Sequence, residues 1–213
     1  MRKSAGVHVR VGFCIKAVIV LFGCLGLLYV SSSVGSAPKQ GQPPREQFSA
    51  LARMPAVGGT VMVGAGATAN LEIYLDRYST DAEVDLMAAK FAKGRHKALR
   101  TALEKATQKG KIAMSGRNDY YELKLVRSIA TENGRRIFAV GERAIRFLDG
   151  YYPGRSHLEE FGILQLDLKT RDGIEQGSGT IIHKARIKSL SGNSIVLEEY
   201  GIQPVRLTGV RKR

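Results

Sequence analysis

The sequence predicts an α+β fold, a mainly antiparallel β meander that is either open or curled into a partly closed barrel. Helical periodicity is confined to one stretch, residues 81–110, which predicts a helical hairpin or a single kinked helix near the N-terminal side of the domain. From Lys111 onward, short segments of alternating apolar and polar residues are separated by glycine-containing turns. Short connections of this kind favour antiparallel neighbours.

Residues 1–37 have the three parts of an export signal. Basic residues are followed by an unbroken apolar run over residues 17–30 and then by the small residues of 31–37. Cleavage after Gly35 or Ala37 would release the rest of the chain. Retention of residues 11–34 as a signal anchor is the alternative, because roughly 20 apolar residues cross a bilayer, and lipidation at Cys24 is a third. The predicted location is extracytoplasmic, periplasmic or secreted, either free or tethered to the inner membrane.

Composition limits the chemistry of the exported part. Both cysteines, Cys14 and Cys24, lie within the leader, so the remainder has no thiol for a disulfide, a thiolate metal site or nucleophilic catalysis. The chain carries 33 basic and 19 acidic residues, a net charge of +14. Because the leader holds four of the basic residues and no acidic one, the remainder keeps a net charge of +10. Such an excess favours anionic partners.

The chain divides into a leader, a linker and one domain. Residues 38–57 form a predicted linker that contains four prolines and, at 47–54, one short turn of helix. Residues 58–213 form a single predicted domain, a length suited to one hydrophobic core.

The predicted helix has a clear start and an interruption. Alternating residues over 69–78 predict a strand, after which Thr80 and Glu83 form the pattern of a capping box, so the helix begins at Asp81. Apolar residues recur at helical spacing until Gly94, and the pattern resumes toward Gly110.

The rest of the domain is predicted to be strands. Candidate strands are 111–115, 119–130, 135–141, 144–148, 161–169, 178–189, 194–200 and 203–210. The pairs Asn133-Gly134, Asp172-Gly173 and Gly192-Asn193 predict turns between consecutive strands.

A dense group of basic residues marks the helical region. Lys93, Lys97 and Arg100 follow one another at spacings of four and three, so on a regular helix they share one side. They are candidates for binding phosphates, the lipid headgroups of an anionic membrane surface or an anionic envelope polymer. A solvated helix face is the alternative. No aromatic residue interleaves them, which argues against a nucleic-acid partner.

The segment DGYYPGRSHLEE, residues 149–160, is the strongest candidate for a ligand-binding loop. Tyr151 and Tyr152 offer flat contact area, Arg155 can bind a carboxylate or phosphate with two hydrogen bonds, and His157 adds a histidine, the residue type whose ordinary pKa is nearest to neutral. A long hairpin loop held by tyrosine packing is the alternative.

Catalytic motifs are absent from the sequence. There is no His-Glu-x-x-His, no calcium loop and no Gly-x-Ser-x-Gly elbow, and no metal or cofactor is expected. The main expectation is a non-enzymatic binding or envelope-associated module for an anionic or small ligand. The alternative is a hydrolase or isomerase that combines His157 or His183 with Glu159, Asp167 or Asp149.

Five segments of the domain carry a resemblance to other sequences: RYSTDAE (77–83), NGRRI (133–137), ERAIRF (142–147), PGRS (153–156) and QPVRLTGVR (203–211). In these segments the chain resembles a family of uncharacterised secreted bacterial proteins. The resemblance extends from about residue 58 to the end of the chain. It implies an extracytoplasmic leader followed by one small domain, and it implies no activity.

Overall fold

A nine-stranded antiparallel sheet and one kinked helix make up the computed structural model, which describes residues 45–53, 68–145, 160–191, 194–198 and 203–213. The helix α1 spans Asp81–Lys105. The strands are β1 (Glu46–Arg53), β2 (Thr68–Leu75), β3 (Gly110–Met114), β4 (Tyr120–Leu123), β5 (Leu125–Thr131), β6 (Gly134–Val140), β7 (Phe161–Arg171), β8 (Ile174–Ala185), β9 (Ile187–Ser191), β10 (Ser194–Leu197) and β11 (Val205–Lys212).

The sheet curls until its two ends nearly meet. Its strand order is β4-β3-β2-β1-β11-β8-β7-β6-β5, so the first and last strands of the sheet are consecutive in the chain and only Lys124 separates them. The Lys124 N–H donates to the carbonyl of Val140 at 2.9 Å, and Ser79 in the link before α1 donates to Val126 at 2.7 Å. The α+β class and the barrel-like closure are confirmed. Strands β9 and β10 form a separate antiparallel pair.

Two hydrophobic clusters lie on opposite sides of the curled sheet. On β6, Ile137 and Ala139 belong to one cluster, whereas Phe138 and Val140 belong to the other and pack with α1. This alternation is what the pleat of a strand imposes. The first cluster fills the interior with side chains from β1–β8 and β11. The second cluster contains residues of α1 and of β5–β9 but none of β1–β4 or β11. Helix α1 therefore covers one half of the outer surface of the sheet and leaves the other half uncovered.

The predicted kinked helix is confirmed, and local chemistry explains both its start and its kink. Thr80 accepts a hydrogen bond from the Glu83 N–H at 3.2 Å, and the Glu83 carboxylate accepts one from the Thr80 N–H at 2.8 Å. Gly94 and Arg95 depart from helical geometry, and Arg95 has a φ of 51°. A helix kinks where its residues leave helical φ and ψ, and glycine is the residue that permits this most easily.

Strand β1 corrects the prediction for residues 47–54. Residues 46–53 form no turn of helix and are not linker but a strand that pairs with both β2 and β11, and residue 54 lies outside the described residues. Phe48, Ala50 and Ala52 alternate into the interior. Two of these three residues are alanines, which favour helices and bury little area. The alternation therefore indicated a strand only weakly, and the proline-rich segment before it favoured the prediction of a linker.

Three further strand predictions differ from the structure. The predicted strand 119–130 breaks at Lys124, and 178–189 breaks at Arg186. Residues 144 and 145 belong to no strand, although both are buried and Ile145 donates to the His183 carbonyl at 3.0 Å. The remainder of 144–148, the end of 194–200 and the turn Gly192-Asn193 lie outside the described residues.

Two predicted turns fall where β-strands are joined. Asp172 and Gly173 connect β7 to β8 with φ values of 51° and 75°, the left-handed pair that a two-residue hairpin requires. Between β5 and β6 the two turn residues are Glu132 and Asn133, and Gly134 begins β6.

Candidate functional site

The predicted ligand loop lies outside the described residues. Tyr151, Tyr152, Arg155 and His157 all fall within 146–159. The candidate surfaces of the described chain are therefore on α1 and on the sheet.

A groove of about 420 Å³ runs along α1 across its kink. It is lined by Lys90, Gly94, Lys97, Ala98, Thr101, Ala102 and Lys105. Gly94, Ala98 and Ala102 are spaced four residues apart and leave its floor without bulk, while the three lysines stand around it. We call these lining residues the lysine-rimmed groove.

The three basic residues predicted to share one side of the helix, Lys93, Lys97 and Arg100, do not form one group in the structure. The kink at Gly94 and Arg95 lies between Lys93 and Lys97, so they are not related by a regular helical turn. Lys97 lines the groove, Lys93 is exposed without lining it, and Arg100 donates to Glu104 at 2.9 Å.

Lys90 and Lys105 are the two lysines of the lysine-rimmed groove that were not predicted as site residues. Lys105 follows Lys97 by eight positions, about two turns of regular helix, whereas the kink at Gly94 and Arg95 lies between Lys90 and Lys97, so spacing alone did not place Lys90 at the groove.

The lysines of the groove carry uncompensated charge. Within the part of the chain that the structure describes, no carboxylate lies within 4.0 Å of Lys90, Lys93, Lys97 or Lys105. Lys90, Lys97 and Lys105 are all exposed. This side of α1 therefore presents a positive potential to solvent.

The two histidines of the described chain are buried. His96 follows the kink, where its Nε2 lies 2.8 Å from the Ile187 carbonyl oxygen, and its ring packs against Phe91 and Phe161. The nearest oxygen of Glu198 is 3.9 Å from that Nε2, beyond hydrogen-bond distance. His183 is fully buried in β8.

The carboxylates invoked for hydrolysis are not assembled with a histidine in a cleft of the described chain. Asp167 accepts from Arg136 at 2.5 Å and from Gln165 at 2.9 Å. His157, Glu159 and Asp149 lie outside the described residues. Among the residues described, no group of three or more histidine, cysteine or acidic side chains could hold a metal ion.

A partly buried polar network lies at one end of the barrel, with Glu46, Tyr78 and Arg135 buried and Glu175 and Lys212 half-buried. It consists of Glu46, Tyr78, Arg135, Glu175 and Lys212, and we call it the barrel-end network. Arg135 binds both oxygens of Glu175 at 2.6 Å, and also donates to Glu46 at 2.9 Å and to the Tyr78 hydroxyl at 2.6 Å. Tyr78 donates to Glu46 at 2.5 Å, and Lys212 donates to Glu46 at 2.7 Å. The network joins β1, β6, β8, β11 and the segment before α1.

Hydrogen bonding decides the charge state of this network. Burial by itself would raise the pKa of Glu46, but hydrogen bonds from Arg135, Lys212 and Tyr78 outweigh it and hold that pKa below its usual value. The pKa of Glu175 is lowered in the same way, since Arg135 and Lys212 oppose the effect of burial. Both carboxylates are therefore ionised at neutral pH.

Acid is expected to destabilise the fold through these two carboxylates. A lowered pKa in the folded state means that their contribution is fully present above the unfolded-state pKa, near 4.5, and is lost as the pH falls below it. Urea unfolding between pH 7 and pH 3 should show a midpoint that decreases most steeply below pH 4.5. The Glu175→Gln variant should give a shallower decrease, and equal slopes would contradict this assignment.

Comparisons with known proteins found no match, so the function of this chain is inferred from its own geometry. The described helix is not apolar enough over a sufficient length to cross a membrane. No protein-family model, curated protein or solved structure is significantly similar to this chain.

Proposed function

We propose that this protein is an exported, non-enzymatic, envelope-associated module whose helix α1 rests on the headgroups of an anionic membrane. The observation that carries the proposal is the lysine-rimmed groove, in which Lys90, Lys97 and Lys105 are exposed and without a nearby carboxylate in the described chain. Export is the expectation from the leader, and it would place the domain beside a membrane surface.

Charge and shape both support this use of α1. Each lysine or arginine near an anionic bilayer contributes about 1 kcal/mol, so three rim lysines give about 3 kcal/mol of attraction. The floor of Gly94, Ala98 and Ala102 allows phosphate oxygens to approach the helix closely, because no long side chain stands between the lysines.

The filled interior of the domain favours a ligand bound at the outer surface over a ligand enclosed in the barrel. Apolar side chains from β1–β8 and β11 fill the barrel. A ligand of the described domain would therefore contact its outside.

Vesicle flotation tests the proposal on residues 38–213, called the leaderless protein below. Omitting the leader prevents its apolar run from binding vesicles, and both hydrophobic clusters lie entirely within the retained residues. We expect binding to vesicles rich in phosphatidylglycerol, little binding to neutral phosphatidylcholine vesicles, and loss of binding as salt increases. The K90Q/K97Q/K105Q variant should bind about 100-fold more weakly.

A charge-matched control separates this site from net charge. The variant K169Q/R171Q/K188Q removes three exposed charges from β7 and β9 and should bind nearly as well as the unmodified protein. Equal losses of vesicle affinity in the two triple variants would show that binding depends on the net charge of the protein and not on the lysine-rimmed groove. Binding that does not change with salt would exclude an electrostatic contact.

A further inference from the structure

The half of the barrel that α1 leaves uncovered carries two tyrosines on its outer side, Tyr120, which is exposed, and Tyr74, which is half-buried. Tyr74 on β2 pairs in register with Lys111 on β3, and Tyr120 on β4 is the partner of Ala113, two residues further along β3. The Lys111 ammonium lies 5.0 Å from the centre of the Tyr74 ring and 5.3 Å from that of Tyr120. These cation–π contacts hold both rings beside one cation, and Tyr120 remains 51% exposed.

Hydrogen-bonding groups continue from the tyrosines across the next two strands. Gln47 on β1 pairs in register with Tyr74, and its amide donates to Glu72 at 3.0 Å. Arg213, which donates its N–H to the Gln47 carbonyl, lies 3.7 Å from the same carboxylate through its guanidinium. Rings, amide and charged groups thus form a row across β4, β3, β2, β1 and the end of β11, which we call the tyrosine face.

The shape of the tyrosine face suits an extended ligand. Neighbouring strands lie about 4.8 Å apart, so four steps from β4 to β11 span about 19 Å. A polymer lying across the strands could therefore contact the rings and the charged groups at once.

The chemistry of the face favours an anionic polysaccharide. Exposed or half-buried cations on the outer side of these strands outnumber the acids; the cations are Arg53, Lys111, Arg206, Arg211 and Arg213, and the acids are Glu72 and Glu122. Leu51, at 37% exposure, is the one large aliphatic side chain recorded as exposed on these strands. Protein interfaces have an apolar centre, whereas this face offers flat rings among hydrogen-bonding and cationic groups.

We propose that the tyrosine face binds a carboxylate-bearing polysaccharide, with sugar rings lying on Tyr74 and Tyr120 and carboxylates paired with Lys111 and the arginines. Tyrosine supplies flat contact area at low conformational cost, and arginine binds carboxylates with two parallel hydrogen bonds. This site is separate from the lysine-rimmed groove, because the cluster under α1 draws on β5–β9 and the tyrosine face lies on the other strands.

Affinity electrophoresis of the full-length protein in a neutral detergent tests the proposal, with alginate as the probe. We expect alginate to retard the protein and dextran, which is uncharged, to retard it little. The Y74A/Y120A variant should bind alginate about tenfold more weakly, because two ring contacts are lost. The L86A control removes an exposed apolar side chain from α1 and should bind normally.

Two further outcomes decide the assignment. The K90Q/K97Q/K105Q variant should keep at least half of the alginate affinity, and a tenfold loss there with none in Y74A/Y120A would overturn the proposal in favour of α1. Binding of single-stranded oligodeoxythymidine more tightly than alginate, with the same dependence on the tyrosines, would also overturn it and assign the face to nucleic acid. Absence of alginate binding would overturn it outright.

Discussion

Replacing Arg135 by methionine is expected to lower the free energy of unfolding by about 3–5 kcal/mol, the usual cost of removing one partner from a buried ion pair. Arg135 is the only member of the barrel-end network that contacts all three of Glu46, Tyr78 and Glu175 in the described chain. Without it, Glu46, which is 8% exposed, keeps its charge in a buried position with only Lys212 to compensate it. Methionine retains most of the side-chain volume, so the loss reports charge and hydrogen bonding more than packing.

Urea unfolding of the leaderless protein at pH 7 measures this loss. The matched variant Lys212→Met removes a cation that is 36% exposed and leaves the Arg135 contacts in place, so its expected cost is only about 1 kcal/mol. The triple variant E46Q/R135M/E175Q should recover much of the loss of the single variant, because it removes both uncompensated carboxylates. If Arg135→Met lowered the free energy of unfolding no more than Lys212→Met does, the stability of the network would not depend on the arginine.

Local chemistry made parts of the fold predictable from the sequence. Thr80 and Glu83 specify the start of α1 through their own hydrogen bonds, and Asp172 and Gly173 specify a hairpin through their backbone preferences. Gly94 marked the kink. These signals depend only on residues within four positions of one another, so they can be recognised in the sequence without knowledge of the tertiary structure.

Closure of the sheet was the part of the fold that local signals did not specify in detail. The break at Lys124 divides one apolar segment between the two ends of the sheet order, and it exists because the curled sheet brings β4 and β5 to a common seam. The apolar pattern of 119–130 continues through the break, since β4 and β5 both bury residues. Periodicity therefore predicted strand here but not where one strand ended.

The candidate sites were less predictable than the fold. Basic residues were visible in the sequence, but the kink at Gly94 decided which of them share the lysine-rimmed groove. Members of the barrel-end network are separated by up to 166 positions, the distance from Glu46 to Lys212. Only the pairing of β1 with β11 brings those two side chains together, and β1 was assigned to the linker.

A chain that begins at residue 58, the domain boundary predicted from the sequence, is expected not to fold. It would lack β1, which lies between β2 and β11, and so would leave two strand edges unpaired in the middle of the sheet. It would also lose Phe48 from the interior and Glu46 from the barrel-end network. The loss of Phe48 alone is worth about 3–5 kcal/mol, a large part of the roughly 5–15 kcal/mol by which a typical domain is stable.

Thermal unfolding followed by circular dichroism tests this expectation on two shortened proteins. Residues 58–213 should show no cooperative transition, whereas the leaderless protein, which differs only in residues 38–57, should melt cooperatively. Adding a synthetic peptide of residues 45–54 to the shorter protein should restore part of the transition, because the strand can re-enter between β2 and β11 by backbone pairing. A cooperative transition in residues 58–213 alone would show that β1 is dispensable and that the sheet closes without it.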